Sequence, residues 1–272
     1  KRLEAFVSDF DHLIGHNILR FDLPHLMALR PRLATLGKSP IDTLWLNPLA
    51  FPRNPYHHLV KHYHDGRLQT GHINHPELDA QLVFKLLDDQ LAAFARLNLE
   101  HPDALLAYHY LATRSESHSG FDAVFRTCRA SPTPSSEQAR TAIQRLLAGR
   151  ACAAQTIAVL EHVSDPNEGW ALAYALSWIS VAGGDSVMPP WVRAQFPDAA
   201  RIVRELRDSA CGSHDCAWCR EKNDPKQALS RWFGFDNFRP HPMDEHGRPL
   251  QERIVDEAMR GRSILGILPT GT

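Results

Sequence analysis

The chain has 272 residues, of which 43 % are hydrophobic and 22 % charged, with a formal net charge of −1. That length accommodates two modest domains with real cores, and the composition is that of a globular protein. No global basic field exists to hold nucleic acid, so any DNA contact falls to a local groove.

The first residues, Lys1-Arg2-Leu3-Glu4-Ala5-Phe6, carry charges where a signal peptide would carry an apolar run. The chain then reads Gly15-His16-Asn17-Ile18-Leu19-Arg20-Phe21-Asp22-Leu23-Pro24-His25-Leu26. Gly-His-Asn, then Phe-Asp, then a hydrophobic helix resembles the second motif of DEDD-type 3′–5′ exonucleases. The resemblance implies a ribonuclease H-like fold, a mixed sheet flanked by helices. It also implies two divalent cations, Mg2+ or Mn2+, held by carboxylates to activate water. Asp22 takes the place of one ligand, and Asn17 that of a residue orienting the loop.

Ile41-Asp42-Thr43-Leu44 and Pro55-Tyr56-His57-His58-Leu59-Val60-Lys61 come next, and then Asn74-His75-Pro76-Glu77-Leu78-Asp79-Ala80-Gln81 runs into an apolar-periodic helix. In the family a general base, His or Tyr, lies about one helical turn before a carboxylate at a helix start. Asp79 matches that carboxylate and metal ligand. His75, four positions earlier, can share a face with it and is the expected base; Asn74, at the spacing of the histidine branch, cannot take a proton from water. The family's opening Asp-x-Glu has no counterpart before Gly15, where Asp9 and Asp11 read as helix or loop. The expectation is that it lies upstream of Lys1 and that two carboxylates hold cations poorly. His57, His58, His62, His64, His72 and His75 also fit a histidine-rich surface, and Asp79 also suits a helix start.

Helices are expected from about Gln90 to Arg207. Leu91, Phe94, Ala95 and Leu97 continue the preceding helix. Ser136-Glu137-Gln138 opens another after Ser131-Pro132-Thr133-Pro134. Gln144 to Val163 reads as amphipathic to buried, with Leu146, Leu147, Ile157, Val159 and Leu160. Trp170 to Ala182 is too short to span a bilayer and carries Ser177 and Ser180, so it is expected as a buried helix ended by Gly183-Gly184. Met188-Pro189-Pro190-Trp191 reads as a turn.

Of five cysteines, three bunch in Cys211-Gly212-Ser213-His214-Asp215-Cys216-Ala217-Trp218-Cys219. A Cys-x2-Cys pair brackets one metal, and Cys211 and His214 complete a tetrahedron with Cys216 and Cys219. Zn2+ suits thiolate with imidazole; an iron–sulfur cluster also suits neighbouring cysteines. Such a cluster points to an intracellular metal site more than to a disulfide framework.

The last segment holds Arg231-Trp232-Phe233-Gly234-Phe235-Asp236-Asn237-Phe238-Arg239-Pro240, Gln251-Glu252-Arg253-Ile254-Val255, and finally Ile264-Leu265-Gly266-Ile267-Leu268-Pro269-Thr270-Gly271-Thr272. Aromatic-Gly-hydrophobic, Phe-Arg-Pro, a glutamine, a helix and an apolar strand ending in Pro-Thr-Gly-Thr resemble the opening of RecQ-family DNA helicases. By that resemblance Gln251 reads the adenine edge of ATP, Phe233 and Arg239 flank the base, and Pro269, Thr270, Gly271 and Thr272 begin the phosphate loop, with Gly-Lys-Ser/Thr beyond Thr272. An amide suits adenine because it donates and accepts at once. Between Phe-Arg-Pro and the glutamine the family has almost nothing, whereas here His241 to Leu250 intervene. That insertion is polar and turn-rich, with Pro242, Gly247 and Pro249, and is expected to loop out. The other reading makes Phe233, Phe235 and Phe238 a small aromatic core.

Together these give an α/β chain with a large α-helical middle. Its expected parts are a partial exonuclease-like domain (1–92), a helical spacer (93–209), a metal-binding segment (210–228) and the start of a RecA-like helicase domain (229–272). The parent would be a cytoplasmic or nucleoid-associated, ATP-dependent DNA helicase acting 3′ to 5′ on DNA in repair or recombination. A stand-alone exonuclease and a zinc-braced nucleic-acid adaptor are the alternatives.

Overall fold

Three residues of strand bring the Gly-His-Asn turn beside a buried carboxylate. In this computed structural model, β1 (Leu13–Gly15) pairs in parallel with β2 (Pro40–Asp42), Leu13 opposite Pro40 and Gly15 opposite Asp42. The structure describes residues 6, 10–31, 39–59, 61–62, 67–68, 76–114, 119–181, 188–211, 213, 215–260 and 262–268. Helix dominates them. A second pair, β3 (Lys61–His62) and β4 (Arg67–Leu68), is antiparallel.

The chain divides into two units. The first joins Lys1–Leu146 to His162–Ala200; the second joins Leu147–Glu161 to Arg201–Thr272. In the first, a π-helical turn (Ile18–Asp22) leads into α1 (Leu23–Leu29), with Pro24 in the first turn, where its missing N–H is not needed. From β2 the chain enters α2 (Thr43–Ala50), capped by Asp42 and buried over most of its length.

α3 (Pro76–Glu100) buries Val83, Leu86, Leu87, Gln90 and Phe94, one stripe at helical spacing. It packs on α2, on α4 (Pro102–Ala112) and on α5 (Ser119–Arg129). α6 (Ser136–Leu147) starts where the sequence places it. α8 (Gly169–Val181) is the buried helix foreseen from Trp170, with ten buried residues, and α4 and α2 lie against it. Gly169 is required there: a Cβ would come 2.4 Å from the Leu111 carbonyl oxygen. The rings of Trp45 and Trp170 meet edge to face at 4.9 Å, Phe121 meets Trp170 at 4.9 Å, and the Tyr174 hydroxyl donates to the Trp45 carbonyl at 2.9 Å. α9 (Pro190–Gln195) starts at the second proline of the expected Met188–Trp191 turn.

The second unit holds α7 (Ala153–Glu161), the part of α10 (Pro197–Arg207) from Arg201 onward, α11 (Ala217–Lys222), α12 (Pro225–Phe233) and α13 (Leu250–Met259). The Asp224 side chain caps α12 through the N–H groups of Lys226 (2.8 Å) and Gln227 (2.9 Å). Gly234 ends it at φ 72°, a left-handed turn that glycine adopts without strain.

One expected boundary differs. Residue 92 lies inside α3, whose apolar stripe continues to Phe94, so no break between domains falls there. The stretch Gln144 to Val163 is two helices, α6 and α7, separated by residues 148–152; Gly149, at φ 69°, makes the break. The spacer of 93–209 is accordingly shared between the two units. Gly183-Gly184 lies outside the described residues.

Candidate functional site

The break before α7 matters because Cys152 ends it. Cys152 N–H donates to the Leu206 carbonyl at 2.8 Å, which fixes the start of α7 beside the end of α10. After α10, the chain carries Cys211 and turns into α11. Cys216 is the N-cap of α11, and Cys219 is buried in its first turn. The sulfurs of Cys152, Cys211, Cys216 and Cys219 all lie within 4.8 Å of one another. Cys219 and Cys211 sulfurs are 3.6 Å apart, and those of Cys216 and Cys152 3.8 Å. All are free thiols. Such a group can hold a metal ion.

Burial tends to raise the Cys216 thiol, yet N–H groups of Cys219 and Ala153 bring it down to about 7; burial pushes Cys219 up to about 12. The Cys211 N–H points at the Cys219 sulfur (3.5 Å), and the Asn223 amide reaches it at 3.8 Å. Trp218 sits between the last two cysteines. Its indole N–H donates to the Arg207 carbonyl at 3.0 Å, and Arg207 and Lys222 lie over its ring at 5.3 and 5.7 Å.

Cys211, Cys216 and Cys219 were legible from their spacing. Cys152 was not, because it is 64 positions before Cys216. The signal available was arithmetic: three bunched cysteines leave Cys128 and Cys152 as sources of a fourth, and Cys128 lies inside a helix, at α5. His214 lies outside the described residues.

Around the Gly-His-Asn turn, the organising residue is Asp42. Its carboxylate is buried and accepts N–H bonds from Asn17 (2.8 Å), Leu19 (3.0 Å) and Leu44 (2.9 Å). One side chain thus caps α2 and holds the turn that precedes Asp22. Asn17 serves through its backbone, at φ 65°, a left-handed conformation asparagine tolerates. The Thr43 hydroxyl donates to the Gly15 carbonyl (3.2 Å) and lies 2.9 Å from His16 Nδ1. Gln90 reaches across from α3, donating to the Thr43 carbonyl (2.8 Å) and to Asn47 Oδ1 (2.9 Å); Asn47 Nδ2 meets His57 Nδ1 at 2.9 Å. Burial pushes Asp42 up to about 6 and drives His16 down to about 4 and His57 to about 3. His57 is therefore a neutral core residue and no part of a histidine-rich surface.

Asp22 is exposed at the start of α1, its carboxyl raised by partial burial. Asp79 lies half-buried in the first turn of α3. His75 lies outside the described residues. Among the described residues no group of three or more His, Asp or Glu side chains gathers as a metal cage. Two carboxylates on separate helices do not fit a two-cation centre.

The segment after α12 presents its rings to solvent. Phe233 is 72 % exposed and Phe235 63 %, on either side of Gly234, and Trp232 is 75 % exposed. The small aromatic core is thereby overturned. Arg239 is exposed, and Gln251 is half-buried in the first turn of α13. The ten-residue insertion closes on itself. Leu250 N–H donates to the Pro242 carbonyl (2.9 Å), Met243 bridges Pro249, and Asp244 Oδ1 accepts the N–H groups of His246 (2.9 Å) and Arg248 (2.8 Å). Residues 262–268 then return past α13, and Gly266 comes so near Ile254 that a Cβ would lie 2.7 Å from Ile254 Cδ1. Pro269, Thr270, Gly271 and Thr272 lie outside the described residues.

No protein-family model, curated protein or solved structure matches the chain. Among the described residues no helix is long and apolar enough to cross a membrane.

Proposed function

We propose that the chain carries the opening of a RecQ-type, ATP-dependent DNA helicase, preceded by a DEDD exonuclease-like domain. The observation that carries this is the closed insertion. The 2.9 Å bond from Leu250 to Pro242 brings the chain back to where it left Phe238-Arg239-Pro240. Gln251 therefore follows that motif in space nearly as though the insertion were absent. Phe233, Arg239 and Gln251 then have the chemistry to take an adenine: a ring to stack, a cation beside it and an amide to read its edge. A metal held by thiolates, zinc or an iron–sulfur cluster, braces the second unit ahead of this segment, and DNA is the partner. In that parent, hydrolysis falls to a lysine and carboxylates beyond this segment, with Mg2+ on the phosphates.

The test is the reading frame past Thr272, expressed as a longer polypeptide. It is expected to read Gly-Lys-Ser or Gly-Lys-Thr at once and to hydrolyse ATP in a DNA-stimulated manner with strand separation. Gln251→Ala should raise KM for ATP about tenfold and erase the preference for ATP over GTP. A continuation without that lysine, or unchanged base selectivity in Gln251→Ala, eliminates the helicase. DNA binding without ATP hydrolysis would favour the zinc-braced adaptor instead.

A further inference from the structure

We infer that Cys152, Cys211, Cys216 and Cys219 hold a single zinc ion as an all-thiolate centre, with Cys152 as the fourth ligand in place of His214. The geometry of the sulfurs decides between one ion and a cluster. With Zn–S bonds of about 2.3 Å, the sulfurs of a regular tetrahedron stand about 3.8 Å apart. The Cys211–Cys219 and Cys152–Cys216 pairs here stand 3.6 and 3.8 Å apart, and no pair exceeds 4.8 Å. A four-iron cluster places each thiolate on a different corner of a cube, pointing outward, and so holds its sulfurs much farther apart. A disulfide is excluded in the other direction, since its sulfurs bond at about 2.05 Å. Four sulfur donors also exclude oxygen-seeking cations such as Mg2+.

The surroundings suit a dianionic centre. Cys152 and Cys216 each stand at the start of a helix: their carbonyls accept the N–H groups of Thr156 (2.9 Å) and Arg220 (3.0 Å), so two positive helix ends converge on the sulfurs. The Cys211 N–H and Asn223 amide donate toward the Cys219 sulfur, as outer donors do around structural zinc. Arg207 and Lys222 flank Trp218 alongside. The ion ties the beginning of the second unit to the residues that launch α11 and α12, so zinc binding and folding of this unit are one equilibrium. The inference rests on sulfur geometry and is independent of the nucleotide proposal.

The experiment is metal analysis and cobalt substitution on the chain purified anaerobically. The expected preparation is colourless with one zinc per chain. Exchange for Co2+ should give the intense visible bands and sulfur-to-cobalt charge transfer of a tetrahedral four-thiolate site. Cys152→Ser should weaken Co2+ binding at least a hundredfold and reduce the charge-transfer intensity. His214→Ala and Cys128→Ser should leave both unchanged, so that loss of metal cannot be assigned to any substitution at all. A brown preparation with iron and acid-labile sulfide overturns the inference. So does a four-thiolate spectrum that survives Cys152→Ser, a metal lost in His214→Ala, or wild-type chain that is folded by circular dichroism yet binds neither ion.

Discussion

The sulfurs of Cys152 and Cys216 lie 3.8 Å apart although 64 positions separate them in the chain. Contact at that range between thiols that are not bonded makes their accessibility depend on what binds them. The remaining cysteine, Cys128, is a control inside α5: its thiol is directed at the Leu91 carbonyl (3.8 Å), and burial pushes it up to about 11. At pH 7 about one Cys128 in ten thousand is then thiolate, and only the thiolate attacks a disulfide reagent. Titrated with such a reagent, the metal-loaded chain is expected to react very slowly at every cysteine. A strong chelator removes the ion and with it the fold of the second unit, so its four thiols, Cys219 included, become fast while Cys128 stays slow. Five fast thiols before chelation would contradict the cluster.

Acid lability should follow from the polar network around Asp42. His16 and His57 are lowered by burial to about 4 and about 3, so the unfolded chain binds their protons first and folding opposes protonation. Their contribution is complete above pH 6.5 and is lost as pH falls toward 4. Asp42, raised to about 6, acts in the opposite sense: its contribution is full below pH 3.8 and is lost as pH rises through 6. The two histidines outweigh the one carboxyl, so the first unit should lose on the order of 3 kcal/mol between pH 7 and pH 4. Urea midpoints followed by tryptophan fluorescence would show it. His57→Gln leaves one histidine nearly balanced by Asp42 and should almost flatten the profile, whereas Asp42→Asn should steepen it; a flat profile in the wild type refutes the assignment.

These side chains also mark how far the sequence could be read. The Cys-x2-Cys pair, the α12 cap at Asp224 and the left-handed Gly234 are local, since each interaction closes within a few residues. The burial of the helix that begins near Trp170 was legible from its apolar run, broken only by Ser177 and Ser180. Cys152 and Asp42 were not legible in their roles, because their partners lie far along the chain and become neighbours only after β1 has paired with β2 or α7 has docked beside α10. Asp42 looked like an ordinary polar residue after an apolar one; three N–H groups from two segments make it a clamp. The boundary at residue 92 failed for a related reason. A helix stripe identifies a face and does not say which partners extend along it.

Gly169 tests close packing at the start of α8. A Cβ there would meet the Leu111 carbonyl oxygen at 2.4 Å, and a backbone atom in a packed helix cannot step aside. Gly169→Ala should therefore cost about 1–3 kcal/mol of stability through overpacking. Gly149→Ala makes the contrast: nothing lies within 4 Å of its Cβ, and the cost is only that of holding alanine at φ 69°, about 1 kcal/mol. Equal losses in the two variants would mean that the α4–α8 contact is looser than described.

A buried carboxylate of α13, Asp256, helps hold the insertion to that helix, beside the Arg248–Glu252 and Arg253–Asp244 pairs, and this gives the adenine proposal a second handle. Asp256 is buried and accepts from Arg248 at 3.0 Å and from Arg260 at 3.2 Å; Arg248 also donates to Glu252 at 3.2 Å. Asp256→Ala leaves the Arg248 guanidinium with Glu252 alone and loosens the loop on the helix that carries Gln251. Removing one member of a buried pair should destabilise the second unit by about 1–3 kcal/mol. Lys226→Ala, whose ammonium lies 3.9 Å from Glu252 at the surface, should cost under about 0.5 kcal/mol. If Gln251 reads adenine only while the loop is closed, Asp256→Ala in the longer polypeptide should raise KM for ATP several-fold with kcat within twofold of the parent. A lowered urea midpoint with an unchanged KM would leave the loop as a structural element and remove it from nucleotide recognition.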